Sequence, residues 1–243
     1  MSILLIPVAP LSRTKSRLKD CFSREQLIDL TIAMFKDIAN TLMKVNCFNE
    51  KLVYCNASEI LEIAKKYGFI GIKEDITTPL KSFDEIIEDL NNIALNKYKA
   101  EQTILTFIDV ILIMAKNFNE INDLLRTNQL VICPAINSAG ISILGRKPPD
   151  IISSYFSEPN TPSLIALLNN AKRKSINNLT IYDSFRAGFD VDVKQDLVLA
   201  YEYLKLFNLK HTETYLFLKQ NLKLTLRKIN VNNNRVFKII KKK

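Results

Sequence analysis

A single histidine, His211, occurs in 243 residues, which leaves a zinc site little to work with and gives imidazole no obvious catalytic place. Four cysteines, Cys21, Cys47, Cys55 and Cys133, form no C-x-x-C pair, so free thiols of a reducing compartment are expected rather than a disulfide framework. The glycine framework of a P-loop is also missing. The apolar opening "SILLIPVAP" is too short to span a bilayer and precedes Arg13 and Lys15, whereas a secretory signal places its charges first. A cytoplasmic protein with no membrane partner is the expectation. No helix-turn-helix, zinc knuckle or aromatic RNA-binding strand pattern is present, so a nucleic-acid partner is not expected either.

What is there is positive charge and apolar content. The net charge of +9 favours an anionic partner such as a nucleotide or a phosphorylated metabolite, although much of it lies along helices and in the tail Lys241–Lys243. A hydrophobic content of 47% supplies a substantial core. Short β-rich runs ("ILLIPVA", "KLVYCNA", "FIGIKED", "TILTFID", "LVICPA", "ISILG", "LTIYDS") alternate with segments of helical spacing, which predicts an α/β fold with a mixed, mainly parallel sheet. Ser23 with Gln26 and Ser82 with Glu85 read as capping boxes, and Gly68 as a helix stop. Helices are also expected in "FNEINDLLRT", "PDIISSYF", "SLIALLNNAKRK", "VKQDLVLAYEYLKLF" and "TETYLFLKQN". Alternation in "LKLTLRKI" and the Asn run at 232–234 predict a terminal hairpin. One domain over 1–243 is expected, with about 194–240 as a C-terminal extension; the apolar hairpin makes a homodimer reasonable.

In an open α/β sheet ligands bind beyond the carboxyl ends of the strands. After the first strand, Arg13, Lys15 and Arg17 alternate with Ser12, Thr14 and Ser16, donors suited to a phosphate chain or simply a solvated basic loop. Asp109 stands among apolar residues in "ILTFIDVILIMA", where a carboxylate needs a cation, hydrogen bonds or a place at the strand's open end. In "IYDSFRAGFDVD" a turn at Ala187 and Gly188 delivers Phe189 inward and leaves Asp190 and Asp192 facing the crevice; one of the two is also a candidate cap for the next helix. Carboxylates from separate strand ends are the hard ligands that Mg²⁺ takes together with substrate phosphates.

"KSRL" near the start, "NIALNKY" at 92–98, Asp109 after its strand and "IYDSFRAGFDVDVKQDL" at 181–197 together resemble the 2-phospho-L-lactate guanylyltransferases of coenzyme F-420 biosynthesis. The resemblance covers nearly the whole chain and implies a nucleotidyltransferase fold of the nucleotide-diphospho-sugar transferase (glycosyltransferase-A-like) type. It implies transfer of GMP from GTP to a phosphorylated three-carbon acid, phospholactate or phosphoenolpyruvate. By matching positions, Lys15, Arg17 and Asp109 are the implied catalytic residues. The match also places Asn92 with Lys15 and Arg17 around the nucleotide and Ser163 on the acceptor; Arg13, from the same basic loop, and Asn137 and Ser138, as substitutes within the altered run at 134–142, are further candidates for the nucleotide. Asp109, Asp190 and Asp192 are implied to hold Mg²⁺. The chain departs from the family pattern in three places: Val110–Ile111 replaces Leu-Pro after Asp109, "PAINSAGIS" replaces a glycine-rich run, and Leu167 stands where a histidine is usual. A different acceptor or base, or a nucleotide-binding paralogue without turnover, is the alternative reading.

Overall fold

The computed structural model describes residues 1–75, 77–229 and 236–242. In chain order these form β1 (Ser2–Pro7), α1 (Arg24–Leu42), β2 (Glu50–Cys55), α2 (Ser58–Lys66), β3 (Ile70–Lys73), α3 (Phe83–Tyr98) and β4 (Gln102–Thr106). They continue with α4 (Ala115–Leu124), β5 (Leu130–Pro134), β6 (Ile141–Arg146), α5 (Ser163–Arg173), β7 (Leu179–Ile181) and the single turn α6 (Phe185–Gly188). The chain ends in α7 (Lys194–Leu206), α8 (Glu213–Asn221), β8 (Leu224–Ile229) and β9 (Val236–Lys241).

Seven strands make one sheet in the order β3-β2-β1-β4-β6-β5-β7. Every pairing is parallel except those of β6, which runs antiparallel to both β4 and β5. This is the mixed, mainly parallel sheet expected from strands separated by helices. The chain first builds outward from β1 through β2 to β3, then returns to place β4 on the other side of β1. Between β1 and β4 the direction of winding therefore reverses, and the connections leave the two carboxyl ends in opposite directions.

Strand alternation sorts the core. Leu4, Ile6, Val53, Cys55 and Ile104 face one side, against Phe35 and Ile38 of α1, Ile60 of α2 and Phe118 of α4. Ile3, Leu5, Leu52, Tyr54 and Leu105 face the other, against Ile87 and Leu90 of α3 and Leu167 of α5. The apolar stripe on α1, with side chains recurring every three or four residues, divides between two cores: Ile38 and Leu42 meet the sheet, while Leu27, Leu30 and Met34 meet α7, α8 and β8. Both capping boxes form, with Ser23 Oγ accepting from the Gln26 amide and Ser82 Oγ from the Glu85 amide. Gly68 takes φ 73°, the left-handed conformation that lets the chain leave α2.

Three expectations are corrected. "PDIISSYF" is no helix: Asp84 at the start of α3 accepts from Ser154 Oγ (2.5 Å) and the amides of Phe156 (2.7 Å) and Ser157 (2.7 Å), holding this segment as a loop. The fourth strand ends at Thr106, so Asp109 lies in a turn beyond it. β7 likewise stops at Ile181. The hairpin forms as β8 paired antiparallel with β9, while the predicted turn at Asn232–Asn234 lies outside the described residues. Among the described residues no helix is long and apolar enough to cross a membrane.

The C-terminal elements are tied to α1 through Asp37, whose carboxylate accepts from the Glu213 (2.9 Å) and Thr214 (2.8 Å) amides at the start of α8. Asp37→Ala is expected to lower stability by about 1–2 kcal/mol in urea denaturation, the loss of a cap whose donors are left without a partner.

Candidate active site

Lys15 stands at the junction of the β1 loop and a short 3-10 turn, Ser16–Leu18, in a left-handed backbone conformation with φ 48°. That geometry costs a residue with a Cβ on the order of 1 kcal/mol, and the contacts of its side chain explain why it is kept. Lys15 Nζ donates to Asp109 Oδ2 at 2.5 Å and to the Val191 carbonyl at 2.7 Å, and lies 3.5 Å from Asp192 Oδ1. From the rim, Arg17 Nη1 donates to the other oxygen of Asp192 at 3.1 Å. The Lys15–Asp109 bridge thus spans the point between β1 and β4 where the winding reverses.

Burial pulls the Lys15 ammonium down, but Asp109, Asp192 and Asp190 outweigh it and its pKa is raised. The Asp190 pKa is raised as well, but there burial and the neighbouring charges act together. Burial, then the neighbouring charges of Asp109 and Asp192, push its carboxyl up to about 7. Ammonium and guanidinium do not balance three carboxylates, and Asp109 Oδ1 is buried without a hydrogen-bond partner.

The arm that carries Asp190 and Asp192 is built as the alternation predicts. Phe189 and Val191 are buried in the second core, so Asp190 and Asp192 face the cleft. Neither aspartate caps α7. Asp196, buried inside the first turn of that helix, reaches back to accept from the amides of Asp192 (2.9 Å) and Val193 (2.8 Å). Its other oxygen accepts from Asn137 Nδ2 at 2.8 Å, joining the arm to the β5–β6 loop. Gly188 is required here: a Cβ would lie 2.6 Å from the Pro134 carbonyl, and the Gly188 carbonyl accepts from the Ile136 amide at 2.8 Å.

These elements surround a cleft of about 820 Å³. Lys15, Arg17, Asp109, Asp190, Asp192, Ser138 and Ser163 all line it. Ser163 opens α5, and the first turn of that helix is held to the β5–β6 loop by the Leu164 amide donating to the Ala139 carbonyl at 3.1 Å. Three of the expected nucleotide-binding residues lie elsewhere. Asn92 is exposed on α3 beside Arg146 and Asp150, because Asn91 takes the inward position and donates to the Pro149 carbonyl. Arg13 lines a separate small depression with Glu74 and Lys81, since its amide closes a turn back onto Pro10. Asn137 is spent on Asp196. The apolar wall of the cleft, Phe83, Phe107 and Phe156, went unread in the sequence, and its separation over 73 residues leaves no local signal.

Among the described residues no cluster of three or more His, Cys, Asp and Glu side chains is arranged to hold a metal ion unaided. The orphaned Asp109 oxygen and the raised pKa of Asp190 nevertheless mark a place short of positive charge. Hard carboxylate oxygens of this kind suit Mg²⁺, which keeps waters and completes its shell with substrate phosphates.

The sequence profile of a family described as guanylyl transferase CofC-like matches residues 1–238. A 2-phospho-L-lactate guanylyltransferase of Methanocaldococcus jannaschii is 27% identical over 195 residues, 80% of this chain and 80% of the relative. A Desulfovibrio desulfuricans G20 protein assigned to the nucleotide-diphospho-sugar transferases superposes with a TM-score of 0.72 at 15% identity, covering 90% of this chain and 94% of its own. The 4-diphosphocytidyl-2C-methyl-D-erythritol synthase of Anaerococcus prevotii superposes with a TM-score of 0.60 at 11% identity, covering 84% and 96%.

A carboxyl whose pKa is raised on folding is stabilising while protonated and loses that contribution as the pH climbs from its unfolded value of 3.8 to its folded value of about 7. Asp190→Asn is therefore expected to stabilise the metal-free protein by about 1–3 kcal/mol at pH 8 and by little at pH 4, read from thermal or urea unfolding.

Proposed function

The chain belongs to the guanylyl transferase CofC-like family, and on that premise we propose that it transfers GMP from GTP to 2-phospho-L-lactate with release of pyrophosphate, in a reaction assisted by Mg²⁺. The observation that carries this reading is the meeting of Lys15, Asp109, Asp190 and Asp192 at the carboxyl ends of β1 and β4, lining one cleft. A phosphate oxygen of the acceptor attacks the α-phosphorus of GTP, a new P–O–P bond forms, and the bond to the β-phosphate oxygen breaks. The acceptor's phosphate is already ionised near neutral pH, so no proton has to be removed and no histidine is needed. Work of this kind is positioning and charge neutralisation.

Among the described residues Lys15 and Arg17 are the cations that line the cleft, and they meet the charge of the triphosphate and the departing pyrophosphate. Until nucleotide binds, Lys15 keeps Asp109 and Asp192 compensated. Asp109, Asp190 and, at the rim, Asp192 offer the oxygens that would hold Mg²⁺. When bound, the ion would supply charge neutralisation for the phosphates and help to orient the triphosphate. Ser138 and Ser163 supply hydroxyl donors at the loop junction for the acceptor.

Purified protein with Mg²⁺ and GTP is expected to release pyrophosphate with 2-phospho-L-lactate or phosphoenolpyruvate; release with neither acceptor would overturn the reading. Asp109→Asn should lower the rate by at least about 10²-fold with the fold intact by circular dichroism. Lys15→Ala should weaken GTP binding by roughly tenfold to a hundredfold in calorimetric titration, the loss of a charge-assisted contact.

A further inference from the structure

We infer that Phe83, Phe107 and Phe156 form the seat of the nucleobase, an inference that rests on the nucleotidyl-transfer reading above. The three rings lie together in the cleft wall, with centroids 5.8 Å apart for Phe83–Phe107, 5.6 Å for Phe83–Phe156 and 5.5 Å for Phe107–Phe156. Phe156 meets Phe83 at 63° and Phe107 at 86°, so the wall offers ring faces in more than one orientation to a flat guest. Phe83 is 38% exposed and the other two are half-buried, although each would gain by complete burial.

The wall is also preorganised. Asp84, next to Phe83, accepts the Phe156 amide and its two flanking contacts, so the loop that departs from the expected helix is what brings Phe156 against α3. Phe107 follows β4 two residues before Asp109, which ties the apolar wall to the charged one by a short, rigid connection.

The chemistry of the substrates decides which of them lies on this wall. A three-carbon phosphorylated acid has two anionic groups and almost no apolar surface; the base is the large flat aromatic part of either substrate. Base–aromatic stacking tolerates any base, because every base has a π-face. The wall itself has no polar side-chain atom to read a base edge. It therefore supplies affinity for the nucleotide and does not distinguish guanine from adenine.

The test is calorimetric titration of wild type, Phe83→Ala and Phe83→Trp with GTP, ATP and inorganic tripolyphosphate, beside the pyrophosphate-release assay. Phe83→Ala is expected to raise Kd about tenfold for GTP and ATP alike and to leave tripolyphosphate unchanged; Phe83→Trp should restore nucleotide binding. Unchanged GTP affinity in a folded Phe83→Ala protein, with or without a higher KM for the acceptor, overturns the seat alone. So does an equal loss for tripolyphosphate. Wild type that binds GTP and releases no pyrophosphate overturns the transferase reading and leaves the Phe83 comparison to decide the seat; wild type that binds no nucleotide overturns both.

Discussion

An ammonium surrounded by carboxylates holds the cleft together. Lys15 is only 10% exposed and Asp109 15%, so neither is served by bulk water. Burying such ions costs several kcal/mol each, while opposite charges about 4 Å apart attract by about 4 kcal/mol at an effective dielectric of about 20. The two are comparable, and the balance closes only because Lys15 reaches several acceptors at once: Asp109, Asp192 and the Val191 carbonyl. Its left-handed backbone is the local expense of that reach. Asp190 remains the uncompensated member, which is why its carboxyl tends to keep its proton. The site is consequently short of positive charge, and a metal–nucleotide complex of the kind proposed would bring positive charge to the carboxylates and negative charge to Lys15 together.

Much of the fold serves to present those charges from different parts of the chain. Lys15 follows β1, Asp109 follows β4, and the Asp190–Asp192 arm arrives after β7. The arm is gripped from beneath by Phe189 and Val191 in the second core, and from its far end by Asp196. Because Asp196 also takes Asn137, the β5–β6 loop and the arm cannot move independently. α1 contributes to both the sheet-facing core and the C-terminal core, so a loosened C-terminal region would be felt at the arm as well as at the helix.

Regular elements were legible where one period ran unbroken: the α1 stripe, both capping boxes and the strands of the central sheet. The charged residues could also be placed, because carboxylates in apolar runs have few acceptable locations. What could not be read was set by contacts distant in sequence. The helical spacing of "PDIISSYF" is genuine, but Asp84 offers that backbone better partners than a helix would. Asn92 and Asn91 are equally polar neighbours, and only the packing of α3 against the 149–152 segment decides which turns inward. Asp196 looks like an ordinary first-turn acid. The aromatic wall is assembled from three separate loops and helix ends.

The departure after Asp109 shows how a motif is replaced by packing. Proline restricts a turn through its ring, and here Val110 and Ile111 stand where the resemblance expects Leu-Pro. Val110 is fully buried in the sheet-facing core, and Ile111 and Leu112 are buried in the C-terminal core. Successive side chains are thus drawn into two different cores, which restricts the turn through burial. At roughly 1.5–3 kcal/mol for a buried aliphatic side chain, this restraint is strong enough to hold a carboxylate with an unpartnered oxygen in place. Asp109 is kept where it is by its apolar neighbours, and what it lacks in hydrogen bonds is left for a ligand to provide.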